Sequence, residues 1–594
     1  MNIPQVTNIG KYQETQTTFA GRNHNLVIGD TEFYNTKNLT ADYYPVLSPR
    51  RKRGFIQNIP NCKGLIASEA VAWIQNDGTG DTFYYNGVAK FKMPITDGTE
   101  RTMLTMGAYI IIFPDKIMYN TSSAVSENER VTYINSKWQA KENSTIYYYL
   151  STLTGADYDI EPSTEPPASP TNGQYWLDSS GETPVLKVFS SQTQEWSSIA
   201  TTYIKVKADG IGKGFKLYDA VDISGLDKAE LNGSFVIWAL SDDWILLTAI
   251  ISDYTPQTVT STVNVSRSMP ELDYVVESEN RLWGCRWDNT VNEIYACAQG
   301  DPTNWSQFMG TSQDSYYLSL GSDGAFTGAT VHNGYVIFFK ENVIHKIYGS
   351  KPSNYQITNV AARGISQGSG KSAVIVNETL YYLSKNGICQ YSGGNPSGIY
   401  SSFGGVTYKN GVGGRLADKY YISMQDKQDK WHLFTYDELL GVWEEEDDTQ
   451  FKFCCENKGN MYFVDGNNDL WVADYENYDG GLKATEEDSF EWMAETGDIG
   501  IQEPDYKYYQ DFQLRLTMNA DTKVKVYMQY DSSGEWELVD TIDKKRKGCY
   551  SIPIHTPKVD HYKMKIVGYG DCKIYLISKY REYSSEVRNV GNKL

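Results

Sequence analysis

A hairpin that returns every ~40–45 residues constrains this chain more than any other feature. NGYVIFFKENVIHKIYG, NETLYYLSKNGICQYSG, DKYYISMQDKQDKWHLFTYD and GNMYFVDGNNDLWVADY place comparable strands at Tyr335, Leu380, Tyr420 and Met461. In each, an apolar run of strand length meets a polar turn and resumes. Four short strands and three turns consume about 40–45 residues, which is one blade of a β-propeller. An earlier hairpin lies in Glu277 to Phe308: Asn280 to Trp287, a turn at Asp288 to Asn292, then Glu293 to Ala298. GDPTNW closes it, with Gly300, Asp301 and Pro302 where the chain leaves the sheet and Trp305 as a large plug beneath. The longer step from Leu282 to Tyr335 leaves room for one long loop. Hairpins from Leu65, LIASEAVAWIQ with TFYYNGVAKFKM and TMLTMGAYIIIF with IMYN, bring the expected body to six or seven blades.

The expected fold is all-β, with a propeller over 55–133 and 269–480. Residues 1–54 read as an extended arm, with Phe33, Tyr34, Tyr43 and Tyr44 set between turn residues. Residues 134–268 break the repeat, contain the polar linker IEPSTEPPASPTNG, and read as one or two inserted β modules. Asn232 and Gly233 supply a hairpin-turn signal there. Beyond an acidic stretch, LKATEEDSFEWMAETGD, residues 485–594 give six alternating strands, from FQLRLTM to CKIYLISKYRE, and predict a β-sandwich or jelly roll.

The formal net charge of −20 argues against general adhesion to nucleic acid or anionic membrane, which needs clustered Lys and Arg. No run of eighteen apolar residues occurs, and the first residues lack a basic segment followed by an apolar one, so a soluble chain without a secretory leader is expected. Eight cysteines lie scattered without a CxxC pair, and reduced, packed thiols follow.

Several motifs invite a chemical reading and fail it. GSGKS at Gly368 to Ser372 has Ile365 where a phosphate loop needs glycine, and runs on into a strand instead of a helix. GIGKGF at Gly210 to Phe215 is explained as a turn. EEEDD at Glu444 to Asp448 reads as a solvated acidic face before it reads as paired catalytic carboxylates or a calcium site. His24, His332, His345, His432, His555 and His561 show no metal spacing and no matched Ser or Cys nucleophile. YDSSGEW at Tyr530 to Trp536 approaches the Asp-x-Gly turn of sialidase-like propellers, with an interval one residue too long. No catalytic residue, metal or cofactor is expected, nor an enzyme. A rival from another class is a carbohydrate-binding propeller, an adhesin or receptor-binding tail component, with Trp176, Trp196, Trp238 and Trp244 of the insert as glycan contacts.

ENRLWG followed by IYACAQGDPTNW, EFYNTKNLTADYYPVLSPRRKRG at Glu32 to Gly54, and YLISKYREYSSEV near the carboxyl end resemble a family of tailed-bacteriophage virion proteins. These are known as head-to-tail connector, packaged-DNA stabilisation or tail-nozzle (tail hub) proteins. The resemblance implies a structural protein that forms a ring at the neck or tail, retains packaged DNA and lines part of the ejection channel. It implies a homo-oligomer, often hexameric, meeting a portal or adaptor ring on one side and fibres or distal tail proteins on the other. Assembly would take place in the host cytoplasm.

Within that picture Arg50, Arg51, Lys52 and Arg53 form the densest basic cluster of an acidic chain. They read either as a solvated loop or as a hook that docks on an acidic partner. A channel wall that lets DNA slide is expected to be acidic or neutral, with Arg50 to Arg53 and Lys544 to Lys547 turned toward partners or solvent. Duplex DNA should then bind at weak non-specific levels, about 10⁻⁴ to 10⁻⁶ M.

Overall fold

The computed structural model describes residues 11–95, 98–502, 506–519, 521–543, 547–554 and 558–583. Among them there is no α-helix, only strands and five short 3-10 turns, so no helix is long and apolar enough to cross a membrane. His555 and Lys544 to Arg546 lie outside the described residues. The chain divides into two compact units, one of Met1–Arg101, Gly324–Lys346 and Thr358–Leu594, the other of Thr102–Asp323 and Ile347–Ile357.

Seven sheets have the pattern of propeller blades, each a four-strand antiparallel meander or, in one case, a meander with added strands. Four lie wholly in the first unit (64–92, 374–398, 409–447 and 451–472), two in the second (102–133 and 274–319), and the sheet of 328–361 has residues in both. The runs recognised from sequence, Tyr335–Phe339, Thr379–Ser384, Lys419–Gln425 and Asn460–Asp465, are the second strands of their blades and are buried on both faces. The reason is packing between blades. Tyr381, Leu383 and Ile388 share one core with Tyr420, Ile422 and Phe434 of the next sheet, and Ile337 and Phe339 share another with Leu380 and Tyr382. Each such fully buried side chain contributes roughly 1.5–3 kcal/mol.

The sheet at 451–472 is completed from the other end of the sequence. Gly54–Asn58 pairs antiparallel with Asp469–Val472, joining Gly54 to Val472 and Gln57 to Leu470. The arm expected over 1–54 therefore runs directly into a blade strand, which Gly54 opens.

In the second unit, residues 136–267 form an eight-stranded sheet and a separate four-stranded one. The span leaves and returns on neighbouring antiparallel strands, with Ser136 opposite Arg267 and Gln139 opposite Asn264. Asn232 and Gly233 do not tip a hairpin. The Asn232 side chain bonds Leu226 through both its oxygen and its amide, and Gly233 opens the strand Gly233–Ser241.

The carboxyl-terminal region is a sandwich of a four-stranded and a five-stranded sheet over one apolar core. Two of its strands come from the amino-terminal segment. Lys11–Gln16 pairs with Cys572–Tyr583, and Phe33–Lys37 pairs with Glu491–Thr496. That last strand lies in the stretch read as an acidic connector. Its alternation is real, with Trp492, Ala494 and Thr496 inward and Glu491, Met493 and Glu495 outward. Trp492 is only 1% exposed, and its ring occupies the space above Gly568, where an added Cβ would sit 2.1 Å from it.

Candidate binding site

The small sheet of the inserted region carries an open cleft of about 750 Å³. One wall is the loop containing Asp157, Tyr158, Asp159 and Glu161, and the other is the start of Tyr175–Asp178. Alternation on that strand turns the 37%-exposed Tyr175 outward and Trp176 inward. Tyr158 meets Tyr175 edge to face at 4.8 Å, and burial first, then the neighbouring Tyr175, raise the Tyr158 phenol above its ordinary range. The Trp176 indole N–H donates to the Ser163 carbonyl at 3.1 Å, the Lys187 ammonium lies 4.9 Å from its ring, and Lys187 is bridged to Asp178 at 2.7 Å. Lys187, paired with Trp176 across the two strands, thus backs that ring.

Of the four tryptophans expected to contact glycan, two come together. Trp196 packs edge-on against Trp176 at 5.4 Å and against Phe189 at 5.3 Å. Trp244 plays a supporting part: its ring lies where a Cβ on Gly155 would be 2.7 Å away, and Gly155 has left-handed backbone with φ +83. Lys205, which donates to the Gly155 carbonyl at 3.1 Å and pairs with Asp157, ties the same loop to the larger sheet. Trp238 stands elsewhere, between Tyr203 and Tyr218 at 6.1 Å from each. The arrangement offers an aromatic face beside carboxylate acceptors, with Lys205 and Lys187 committed to their own carboxylates.

The basic cluster of the arm is corrected by the structure. Arg50 and Arg53 are buried and face carboxylates of the same chain. Arg50 grips Glu487 with two hydrogen bonds, at 2.8 and 2.9 Å, donates to Asn38 at 2.8 Å, and stacks on Phe490 at 4.0 Å. Arg53 donates to Glu446 at 2.7 Å and pairs with Asp447 at 2.8 Å. Arg51 bridges Asp474 at 2.7 Å and Lys52 bridges Glu486 at 3.0 Å, both partly exposed. A hook made of Arg50 and Arg53 is unavailable to a partner, because removing two guanidinium groups from dry ion pairs would leave their carboxylates uncompensated.

The same geometry corrects the solvated reading of EEEDD. Glu444 and Glu446 are buried on the strand Val442–Asp447, and Glu445 pairs with Arg22 at 2.9 Å and His432 at 2.7 Å. Burial raises Glu444 to about 7. For Asp447 burial works upward too, but Arg53 and Arg50 overrule it and hold the carboxyl at about 2. No group of three or more His, Cys, Asp or Glu side chains suited to a metal occurs among the described residues. GSGKS contains a short 3-10 turn whose Lys371 is bridged to Glu100 at 2.6 Å. The eight cysteines are free thiols. GDPTNW serves as a junction: Asp301 bridges Lys216 at 2.9 Å, Asn304 donates to the Tyr218 carbonyl at 3.1 Å, and the buried Trp305 donates to the Pro302 carbonyl at 2.9 Å.

No protein-family model and no curated protein matches the sequence. Among solved structures, the chain is similar to an exo-β-1,3-galactanase from Phanerochaete chrysosporium, at 10% identity over 52% of this chain and 95% of that one, with a TM-score of 0.21. It is similar to PorZ, a surface component of the type-IX secretion system of Porphyromonas gingivalis, at 12% identity over 83% of this chain and 70% of that one, with a TM-score of 0.26. A third is a family 43 arabinoxylan arabinofuranohydrolase from Bacillus subtilis, at 10% identity over 53% of this chain and 95% of that one, with a TM-score of 0.18. With glycoside hydrolases among the similar structures, the expectation that the chain is not an enzyme is corrected and withdrawn.

Proposed function

We propose that this chain is a carbohydrate-binding propeller protein, a receptor-binding component of a phage tail, and that its inserted region makes the glycan contact. The observation that carries this reading is the cleft formed by Tyr158, Tyr175 and Trp176 beside Asp157, Asp159 and Glu161. A sugar offers a C–H face that packs on an aromatic ring and hydroxyls that donate to carboxylates, and a concave site with a few polar groups supplies both. The test is titration of the full chain with a panel of neutral oligosaccharides. Saturable binding that Tyr175→Ala weakens at least fivefold supports the reading, and a panel without a binder overturns it.

A second reading, a virion ring that retains DNA and forms part of its ejection channel, is supported by the three family-like stretches. It is also favoured by the way the amino-terminal segment is built into both the sandwich and a blade. In this reading copies of the chain assemble with each other, the hexamer being the geometry that the resemblance implies, and meet portal, adaptor and fibre proteins. Negative-stain images of purified protein should show rings, and duplex DNA should bind at about 10⁻⁴ to 10⁻⁶ M. A strictly monomeric particle that binds glycans would leave the first reading alone.

A further inference from the structure

The hairpin turn after Lys523–Tyr530 holds a serine in a backbone conformation that glycine ordinarily fills. Asp531 and Ser532 have φ of +49 and +50, and the Ser533 N–H donates to the Tyr530 carbonyl at 3.0 Å, closing a tight turn. Two left-handed residues in succession suit Asn-Gly, and a serine in the second place costs of order 1 kcal/mol. Strain of this kind is concentrated at functional sites.

The exposed Ser532 hydroxyl lies 2.7 Å from His561 Nε2, and His561 Nδ1 lies 3.1 Å from the Asp560 carboxylate. With the proton on Nδ1, Asp560 accepts it and Nε2 is left to accept from Ser532. The backbone beneath the imidazole is held as well: the Asp531 carboxylate accepts the Asp560 N–H at 2.8 Å and the His561 N–H at 3.3 Å, and the Asp531 N–H donates to the His561 carbonyl at 3.0 Å. Asp498 approaches Nε2 at 3.8 Å and itself faces Lys563 at 3.9 Å. These residues lie about 30 positions apart and in the order Ser, Asp, His, which is why no nucleophile could be matched to a histidine from sequence; a triad is known by geometry and not by order.

We propose that Ser532, His561 and Asp560 form a hydrolytic site for small carboxylic esters of acetate size. In the reaction, Ser532 Oγ attacks the ester carbonyl carbon while its proton passes to His561 Nε2. The carbon–oxygen bond to the alcohol then breaks, and the departing alkoxide takes that proton. Water adds to the acyl-serine with His561 again as base, the carbon–Oγ bond breaks, and carboxylic acid leaves with Ser532 restored. Asp560 is a positioning residue that fixes the tautomer. Because Ser532 is on an exposed turn, a long acyl chain would gain little burial there, which favours the short acyl group.

The test uses the full chain with a fluorophosphonate probe, mapped by mass spectrometry, and with p-nitrophenyl acetate. Labelling at Ser532 and turnover are expected. S532G should keep or raise the unfolding midpoint, because glycine prefers this backbone, while abolishing both signals. H561Q should lower the hydrolysis rate at least 100-fold, the lower end for a general base. D560N should move the pH profile of labelling. Folded protein that is not labelled at Ser532, or S532G that hydrolyses the ester as fast as the original chain, overturns the proposal and leaves the three residues as a clasp of the turn.

Discussion

The Arg53 guanidinium donates to the Glu446 carboxylate at 2.7 Å, with both side chains buried, and so joins the arm to a strand almost four hundred residues later. Arg50 reaches the same carboxylate at 3.8 Å and grips Glu487 at the entrance to the sandwich. Removing one member of such a set strands a charge in a dry site, which costs about 3–5 kcal/mol. Arg53→Met is therefore expected to lower the unfolding free energy from urea titration by that amount, and a double-mutant cycle with Glu446→Gln should show coupling above about 1 kcal/mol.

Acid should weaken the same junction. Burial pushes Asp447 upward, yet Arg53 and Arg50 set it at about 2, below its ordinary 3.8, and Glu487 is lowered in the same way by Arg50. A carboxyl depressed by folding stabilises above its unfolded pKa, and that contribution disappears as pH falls from about 4 toward 2. Unfolding followed between pH 5 and 2 should show a loss that Asp447→Asn reduces, on the order of 2 kcal/mol.

Glu444 has the opposite sign. Burial lifts it to about 7 from an ordinary 4.5, so its protonated form favours the folded chain most at low pH, and this contribution is lost as pH rises from 4.5 through 7. Glu444→Gln should flatten the pH dependence of stability across that window and raise the unfolding free energy at pH 8 by up to about 3 kcal/mol. Parallel denaturation curves at pH 5 and pH 8 measure it.

Replacing residues from Ser136 to Ser266 with a short Gly-Ser bridge should leave β-type circular dichroism and cooperative unfolding, because the span departs and returns on paired strands. The loss of Lys216 opposite Asp301 removes an exposed ion pair worth about 0–1 kcal/mol. Loss of the fold would mean that Asn304 and its neighbours need the insert to hold GDPTNW.

Gly568→Ala should destabilise the sandwich by about 1–3 kcal/mol or more, since the new methyl overlaps the Trp492 ring. A thermal midpoint measured beside that of Gly548→Ala, where an added Cβ would meet only the Tyr550 ring at 3.5 Å, separates this clash from the general effect of losing a glycine.

The propeller was legible because its second strands are buried on both faces and appear as runs such as YVIFF and MYFV. The sandwich was legible through alternation, as in Tyr562–Tyr569. What escaped depends on partners distant in sequence. Glu491–Thr496 carries glutamates on its outer face and reads as polar until Phe33–Lys37 and Tyr562–Tyr569 are known to flank it. RRKR and EEEDD each look solvated alone, and only their meeting buries them. In the cleft, Trp176 and Trp196 were within reach because one meander holds both, whereas Trp244 acts through Gly155.

The strand Gly54–Asn58 fixes an order of events during synthesis. Its partner, Asp469–Val472, leaves the ribosome more than four hundred residues later, and until then the edge of Gly54–Asn58 has no antiparallel neighbour on that side. At about 5–20 residues per second this interval lasts tens of seconds, during which intermediate sheets form while the final pairing waits. Closure of so long a loop is slow to find but modest in entropy, since the penalty grows only with the logarithm of length. Once made, the pairing secures the nascent amino-terminal segment late, so a chain truncated before Asp469 would retain that segment as an unpaired edge exposed to other chains.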